Sequence, residues 1–519
     1  MIIGKGDRMP RERPAVRAWG VVLSVGLLTA CSPTAKESED PGPLNLLFIL
    51  TDQQARDTLG AYGNDKIRTP NLDTLAREGV VFETAYVSQP VCSPARATLM
   101  TGLYPHTHGV ITNNIPLSRE TPTLVEMLPE SYETAWYGKW HLGDEIFRQR
   151  GFDDYESTED NYARGYADGR DREARSGYHH FLLAAGIELE GGGRFGRRFA
   201  NTLSKELSKP AYVAGKGAEF LEQHGDEPFV LYLSFLDPHT PFNSVNDDLY
   251  DPADMDVPAT FHEELDPTVL ERKREIRELL QRGEAGSYGR IIDTPADLQA
   301  VKARYWGKVT LVDEMVGRVL TRLRELGLAE RTIVVFTSEH GELMGAHRMM
   351  FKSVSYDEAA TVPLLLRIPG ASGGHRVAGP VSQVDLVPTL LDLMGQPRPG
   401  HLEGESWAQD LRAGRDPASA PVFFEFNGPP WPYEDRFTER LRSVVSPDGW
   451  KLTLDDESHG ELYDLGSDPE ERRNLFYEDT HLERVQSLVA AIRRWQERTG
   501  DDPIRFDEDA WRRHRERLR

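Results

Sequence analysis

Cysteine is almost absent: the 519 residues hold two, Cys31 and Cys92. A disulfide framework is therefore excluded. Positive charge is in deficit, with 61 Lys and Arg against 84 Asp and Glu, a formal net charge of −23. That balance argues against nucleic acid as a partner, because phosphate backbones are bound by basic faces. It leaves room for an anionic substrate, since a few local cations can dominate one pocket. Internal repeats are lacking too. What is there, 39% hydrophobic and 9% aromatic residues, suits a globular chain. Its length allows two domains, or one large domain with an appendage.

The one long apolar stretch near the start reads as an address. Arg8, Arg11, Arg13 and Arg17 precede AWGVVLSVGLLTAC, residues 18–31, a positive region followed by a run too short for a stop-transfer helix. Residues 1–31 are expected to be a signal peptide. Its end, Leu28-Thr29-Ala30-Cys31, resembles the lipobox of bacterial lipoproteins, whose Cys becomes the lipidated first residue; an ordinary secretory signal is the alternative. Residues 32–43, SPTAKESEDPGP, are small, polar and Pro-rich, as in a disordered tether. The expectation is an exported protein, lipid-anchored in the bacterial cell envelope, facing the periplasm or the cell surface. Its only membrane contact would be the N-terminal lipid. Cys92 then has no disulfide partner, and is either a small buried hydrophobe or a reactive, modified thiol.

Three short apolar runs, LNLLFILTD (44–52), PFVLYLSFLDPH (228–239) and TIVVFTSEHGE (332–342), read as fully buried strands. All end in chemically capable residues: Asp52, His239 and Glu339-His340. In α/β sheets ligands sit at the carboxyl ends of the strands, so one convergent site is expected. Helical periodicity follows Thr294-Pro295, an N-cap with Pro at the first helical position. It carries Val309, Val312, Val316, Leu320 and Leu323, and Gly327 supplies the stop. Residues 70–79 and 385–395 read as further helices. The fold class is α/β, with a large, mostly parallel central sheet sandwiched by helices over residues 44–415. Short strand candidates at PVFFEFN, LRSVV, WKLTL and ELYDL, with a Ser446-Pro447-Asp448-Gly449 turn, predict a smaller antiparallel subdomain over 416–500. A helix at 481–497 packs on it. The charged tail 501–519 reads as helix or disordered end. Residues 155–210 and 243–293 break the rhythm and are expected as surface insertions that shape specificity.

The stretch CSPARATLMTG (92–102) resembles the first signature of the type I sulfatases, of the alkaline phosphatase superfamily. SYETAWYGKWHLG (131–143) is similar to the second, with Ser131 at a common Gly position and Tyr137 at a usually smaller one. TDQQARDTLGAYG, the Pro-His-x-Pro-Phe and Ser-Glu-His-Gly elements and GELYDLGSDPEERRNL follow the family order, so the resemblance runs from about residue 44 to 475. It implies that a formylglycine-generating maturation enzyme oxidises Cys92 to 3-oxoalanine (formylglycine). One hydroxyl of the hydrated aldehyde attacks sulfur and the alcohol leaves. Deprotonation of the other hydroxyl then expels sulfate and restores the aldehyde. Arg96 would hold the hydrate, Lys139 and Lys352 the sulfate oxygens, and His141 would assist the deprotonation. His239 would protonate the leaving alcohol. One Ca2+ ion is implied, held by Asp52, Gln53, Cys92, Glu339 and His340. The family usually has Asp at the position of Glu339, so the carboxylate is displaced by one methylene. His106, His108 and His347 are left either as structural residues or as supports standing behind the site.

The expected activity is hydrolysis of a sulfate ester on a sulfated carbohydrate, glycan or aryl compound. Two alternatives stand beside it: a phosphonate monoester hydrolase or phosphodiesterase of the same superfamily, sharing the Asp-Gln start, and a degenerate relative that binds sulfated glycans without cleaving them.

Overall fold

Asn45–Asp52 (β1) is buried along its whole length, because both of its faces are covered. Leu47 and Ile49 enter one apolar cluster, and Leu46, Phe48 and Leu50 another on the opposite face; the two-residue period of a strand alternates them. The computed structural model describes residues 42–189, 193–283, 292–428 and 439–518, within one compact unit. The signal segment, Cys31 and the tether up to Pro41 lie outside the described residues.

The other strands of the central sheet are Val80–Tyr86 (β2), Glu133–Gly138 (β3), Asp154–Glu156 (β4), Phe229–Pro238 (β5), Thr332–Ser338 (β6), Thr361–Val362 (β7), Leu364–Arg367 (β8) and His375–Ser382 (β9). The order is β4-β3-β5-β1-β6-β8-β2-β7, with β9 beside β2. From β4 to β6 every pairing is parallel; β8 joins antiparallel. Helices Pro70–Glu78, Lys209–His224 and Pro295–Glu325 cover one face. Helices Cys92–Thr101 and Leu386–Leu393 cover the other. Thr294 caps the long helix by accepting from the Asp297 N–H, the N-cap expected from its sequence.

A separate four-stranded antiparallel sheet comprises Val422–Asn427 (β10), Arg440–Val445 (β11), Trp450–Asp455 (β12) and Gly460–Asp464 (β13), in that order. Ser446–Gly449 turns between β11 and β12, with Gly449 at φ 82° and its N–H donating to Ser446. Helix Leu482–Thr499 packs Val485, Leu488, Val489, Ile492 and Trp495 against one sheet face. The other face sends Phe424 against Tyr86 of the central sheet, ring centroids 5.9 Å apart. The charged tail is a helix over Glu508–Leu518, with Trp511 fully buried.

The two expected insertions are more integrated than a surface reading allows. Ser157–Asp160 are buried, because Arg197 and Lys209 both pair with Glu159 and neutralise it. The charged 243–293 segment buries Lys273 on helix Glu271–Gln281, where its ammonium meets Glu461 at 2.6 Å.

Candidate active site

Because β3, β5, β1 and β6 are parallel neighbours, their carboxyl ends lie on one edge of the sheet. Asp52 ends β1, and Glu339 and His340 follow β6. Lys139 follows β3, and His239 follows β5. The close approach of β3 to β5 requires Gly138: a Cβ there would sit 1.8 Å from the Ser234 carbonyl oxygen. Two residues at this edge take the left-handed backbone, Gln53 at φ 65° and His141 at φ 61°. Such conformations cost about 1–3 kcal/mol and persist only where the surroundings hold them. Here Glu145 accepts from the His141 and Trp140 N–H groups at 2.6 and 2.9 Å, and Tyr305 donates to the Gln53 carbonyl at 2.7 Å.

Cys92 opens the helix Cys92–Thr101, directly under this edge. Its Sγ stands where the oxygens of an oxidised residue 92 would be. It lies 3.3 Å from His340 Nε2 and 3.3 Å from Lys352 Nζ. Asp52, Cys92, Glu339 and His340 each offer a ligand atom, all within 4.8 Å of one another and all buried. The longer Glu339 side chain therefore still reaches the cluster. Asp52 Oδ1 and both Glu339 oxygens lack a hydrogen bond of ordinary geometry. Orphaned buried carboxylate oxygens are costly unless a cation meets them, so these residues fit a metal ion. His340 Nδ1 sits 2.9 Å from the Gly341 carbonyl, which turns Nε2 to the cluster. Burial lowers His340 and Lys352 opposes its charge, yet Cys92 and Glu339 push it up to about 9. A proton on Nε2 does here what a bound cation would do, and metal binding expels such protons.

Three cations surround the cluster. Arg96, one turn along the Cys92 helix, donates to the Lys139 carbonyl and to Ser234 Oγ, each at 2.8 Å, and its guanidinium pairs with Glu339. Lys139 Nζ meets Asp52 Oδ2 at 2.5 Å. Burial pushes the Asp52 carboxyl up, but the neighbouring cations, Lys139 first and then Arg96, hold it well below the usual range. Lys352 Nζ donates to Gln53 Oε1 at 2.5 Å, so the Gln53 oxygen faces Lys352, while its amide donates to Glu342.

Two histidines complete the rim. His141 packs on Tyr162, ring centroids 4.2 Å apart at 31°. His239 Nδ1 is 2.8 Å from the Thr240 carbonyl. Burial first, then surrounding cations, hold both imidazoles well below their ordinary value. His106 pairs instead with Glu425 at 2.7 Å, His108 lies between Thr98 and Val110, and His347 stacks on Tyr356 at 3.6 Å. All three are structural.

The sequence reading missed Glu145, Glu342, Tyr162, Arg197 and Glu159. Glu342 accepts from the Met344 and Phe351 N–H groups at 3.0 and 2.5 Å and so shapes the loop that carries Lys352. Its position two residues after His340 was the available signal. Tyr162 and Arg197 carried none, since they sit in an aperiodic segment.

The Sulfatase family model matches residues 44–396, well over half of the chain and the whole edge just described. The chain belongs to the sulfatase family. As a type I sulfatase of the alkaline phosphatase superfamily it is a sulfuric ester hydrolase. A second model, for the N-sulphoglucosamine sulphohydrolase C-terminal region, matches residues 345–498 of this sulfatase. It is 32% identical over 465 residues to the sulfatase YidJ of Escherichia coli (strain K12), covering 86% of this chain and 85% of the relative. It is 26% identical over 543 residues to the N-acetylglucosamine-6-O-sulfatase of Bacteroides thetaiotaomicron, covering 93% and 90%. The crystal structure of the phosphonate monoester hydrolase of Agrobacterium radiobacter matches at TM-score 0.72 and 26% identity, over 88% of this chain and 96% of that one.

Proposed function

We propose that this sulfatase hydrolyses a sulfate ester of a sulfated carbohydrate, with residue 92 as nucleophile after conversion of Cys92 to formylglycine and with one calcium ion at the cluster. The observation that carries the reading is the buried group Asp52, Cys92, Glu339 and His340, rimmed by Arg96, Lys139 and Lys352. Oxidation of residue 92 would make the donor set mainly oxygen, which suits a hard cation. When bound, the ion supplies positive charge to the sulfate oxygens and to the hydrated aldehyde at residue 92, which supplies the attacking hydroxyl.

The chain's own groups do the rest. Lys352, 3.3 Å from the residue 92 side chain, and Lys139 orient the sulfate as point charges. Arg96, fixed by Ser234 and the Lys139 carbonyl, holds the carboxylates apart and residue 92 in place. His141 takes the proton whose removal restores the aldehyde. His239 is neutral in the resting site; the negative charge of an arriving ester raises its proton affinity, so it is charged when the alcohol oxygen needs a proton. The sugar assignment draws on the N-acetylglucosamine-6-O-sulfatase relative; an aryl alcohol can leave by the same steps. The same proposal places the enzyme outside the cytoplasm, tethered through lipidated Cys31, with a catalytic domain over 44–415 and a smaller β subdomain over 416–500.

A second reading is favoured by Gln53 after Asp52 and by the phosphonate monoester hydrolase match: the same nucleophile would cleave phosphonate monoesters or phosphodiesters. Steady-state kinetics on aryl sulfate, sulfated N-acetylglucosamine, aryl phosphonate and phosphodiester decide between them, using protein matured by a formylglycine-generating enzyme. A higher kcat/KM on the phosphorus esters overturns the sulfatase reading. Mass spectrometry of the residue 92 peptide is expected to show the aldehyde.

A further inference from the structure

Lys352 sits on a strained loop. Between His340 and the short helix Asp357–Ala360, five non-glycine residues take the left-handed backbone: Met344, His347, Arg348, Phe351 and Ser353, at φ 39°, 53°, 58°, 74° and 78°. The last two flank Lys352 directly. Such backbone persists only where the surroundings hold it, and it gathers at working sites. Upstream of Lys352, Glu342 holds the loop through the Met344 and Phe351 N–H groups. Immediately downstream, the Ser353 N–H donates to the Pro90 carbonyl at 3.2 Å. The chain then reaches Asp357, where the small antiparallel sheet takes over.

Lys451 of β12 is buried, and its Nζ meets Asp357 Oδ1 at 2.6 Å and Glu471 Oε1 at 2.9 Å. The other Glu471 oxygen accepts from the Asp357 N–H at 2.7 Å. Tyr86 donates its hydroxyl to both oxygens of Asp357, at 3.0 and 2.8 Å. Side chain and backbone of one residue are thus pinned together by Lys451, Glu471 and Tyr86. Burial lowers the Lys451 ammonium, but Asp357 and Glu471 more than offset it, so the group stays charged. The small sheet reaches the same loop a second time. Glu461 of β13 holds Lys273, whose Nζ lies 3.3 Å from the Tyr356 ring centroid. From Asp357 the route to the Cys92 cluster runs back along 352–357, at whose far end Lys352 Nζ stands 3.3 Å from Cys92 Sγ.

We infer that Lys451 is a positioning residue: through Asp357 it fixes the loop that sets Lys352 against the substrate anion. The inference rests on the reading of Lys352 as an anion-binding group of the Cys92 site. A misplacement of about 1 Å can cost about 100-fold in rate, so loosening this anchor should show in catalysis although Lys451 does not touch the substrate.

The test is a double-mutant cycle on the matured enzyme with aryl sulfate. Lys451→Met removes the ammonium and keeps an apolar stem. The expected result is a fall of about 10-fold or more in kcat/KM, no greater than that in Lys352→Ala, with inhibition by inorganic sulfate weakened in both. In a Lys352→Ala background the same substitution should change kcat/KM by less than about 3-fold, because the group it positions is gone. Lys451→Arg should restore part of the loss. Tyr86→Phe keeps the ring on Phe424 and removes one donor to Asp357. It should give a smaller loss that also vanishes beside Lys352→Ala, and it carries the test if Lys451→Met does not fold. Melting temperatures report the folding of every variant separately. Losses that multiply in the double variant mean that Lys451 only supports the fold, and overturn the inference. So does Lys451→Met with wild-type kcat/KM. Wild-type protein inert on aryl sulfate overturns the sulfatase reading instead; the cycle then runs on the phosphodiester, whose anion meets the same lysine.

Discussion

Lys352 Nζ donates to Cys92 Sγ at 3.3 Å, and to Gln53 Oε1 at 2.5 Å. One ammonium thus links the nucleophile position to the turn that follows β1. The loop that carries it is shaped by Glu342, which burial pushes above the usual carboxylate range, the two backbone N–H groups and Gln53 offsetting only part of that rise. The candidate site is therefore built from segments that meet only through tertiary structure.

Lys352→Ala removes a charge-assisted contact to the anion and leaves Gln53 Oε1 without its donor. Such bonds contribute about 1.5–3 kcal/mol, so kcat/KM on aryl sulfate should fall about 10- to 100-fold. Inhibition by inorganic sulfate should weaken in parallel. A loss below about 3-fold would mean that Lys352 does not touch the substrate anion.

Metal removal should cost both activity and stability. Without an ion, Asp52 Oδ1 stays buried without a hydrogen bond, and Glu339 is met only by Arg96 and the His340 proton. A chelator should therefore lower the melting temperature, and Ca2+ should restore it in a concentration-dependent manner. At a hundred times the dissociation constant the gain is about 2.7 kcal/mol. Glu339→Ala should abolish the Ca2+ response; if the response survives that substitution, the ion binds elsewhere.

The legible parts of this fold share a physical cause. β1, β5 and β6 are covered on both faces, so each reads as an unbroken apolar run, and the parallel topology brings their polar ends together. The Cys92 helix and the Gly138-Lys139 turn carry local motifs. The wall made by Glu159, Tyr162 and Arg197 had no local signal: its residues are spread over 155–210 with no period, and their proximity arises from pairing with Lys209. The tail was ambiguous for a related reason. Trp511 is the only buried residue of helix Glu508–Leu518, anchored by its indole N–H to the Phe476 carbonyl at 2.8 Å, and one anchor makes no periodicity.

His108 gives a pH dependence with a definite sign. Its Nδ1 accepts from the Val110 N–H at 3.1 Å, so protonation there would break a bond inside the core. Burial, chiefly, brings its pKa from 6.5 down to about 3. Below pH 6.5 the unfolded chain binds a proton that the folded chain refuses, so stability falls as pH drops from 6.5 towards 3. The loss is about 1.4 kcal/mol per pH unit at most. His108→Gln should be less stable than wild type at pH 8 and lose about 1–2 kcal/mol less between pH 7 and 5, read from urea unfolding midpoints. Identical pH slopes for the two proteins would refute this account.

Arg442 is the counter-ion that lets two carboxylates sit between the small sheet and its packing helix. Its Nε and Nη2 donate to the two oxygens of Asp501, each at 2.7 Å, and Glu425 lies 3.7 Å from Nε. The grouping of His106, Glu425 and Asp501 has the residue types of a metal site, but the guanidinium already occupies it. Arg442→Ala leaves Asp501 with only the Gln496 amide as a side-chain donor and Glu425 with His106 and Asn427, and breaking a buried pair in this way costs about 3–5 kcal/mol. Arg442→Lys keeps the charge without the planar fork and should recover part of that loss. Thermal unfolding of the two variants, with Ca2+ held constant, measures both effects. A shift worth less than about 1 kcal/mol in Arg442→Ala would show that water reaches Asp501 and that the C-terminal helix is not held by this pair.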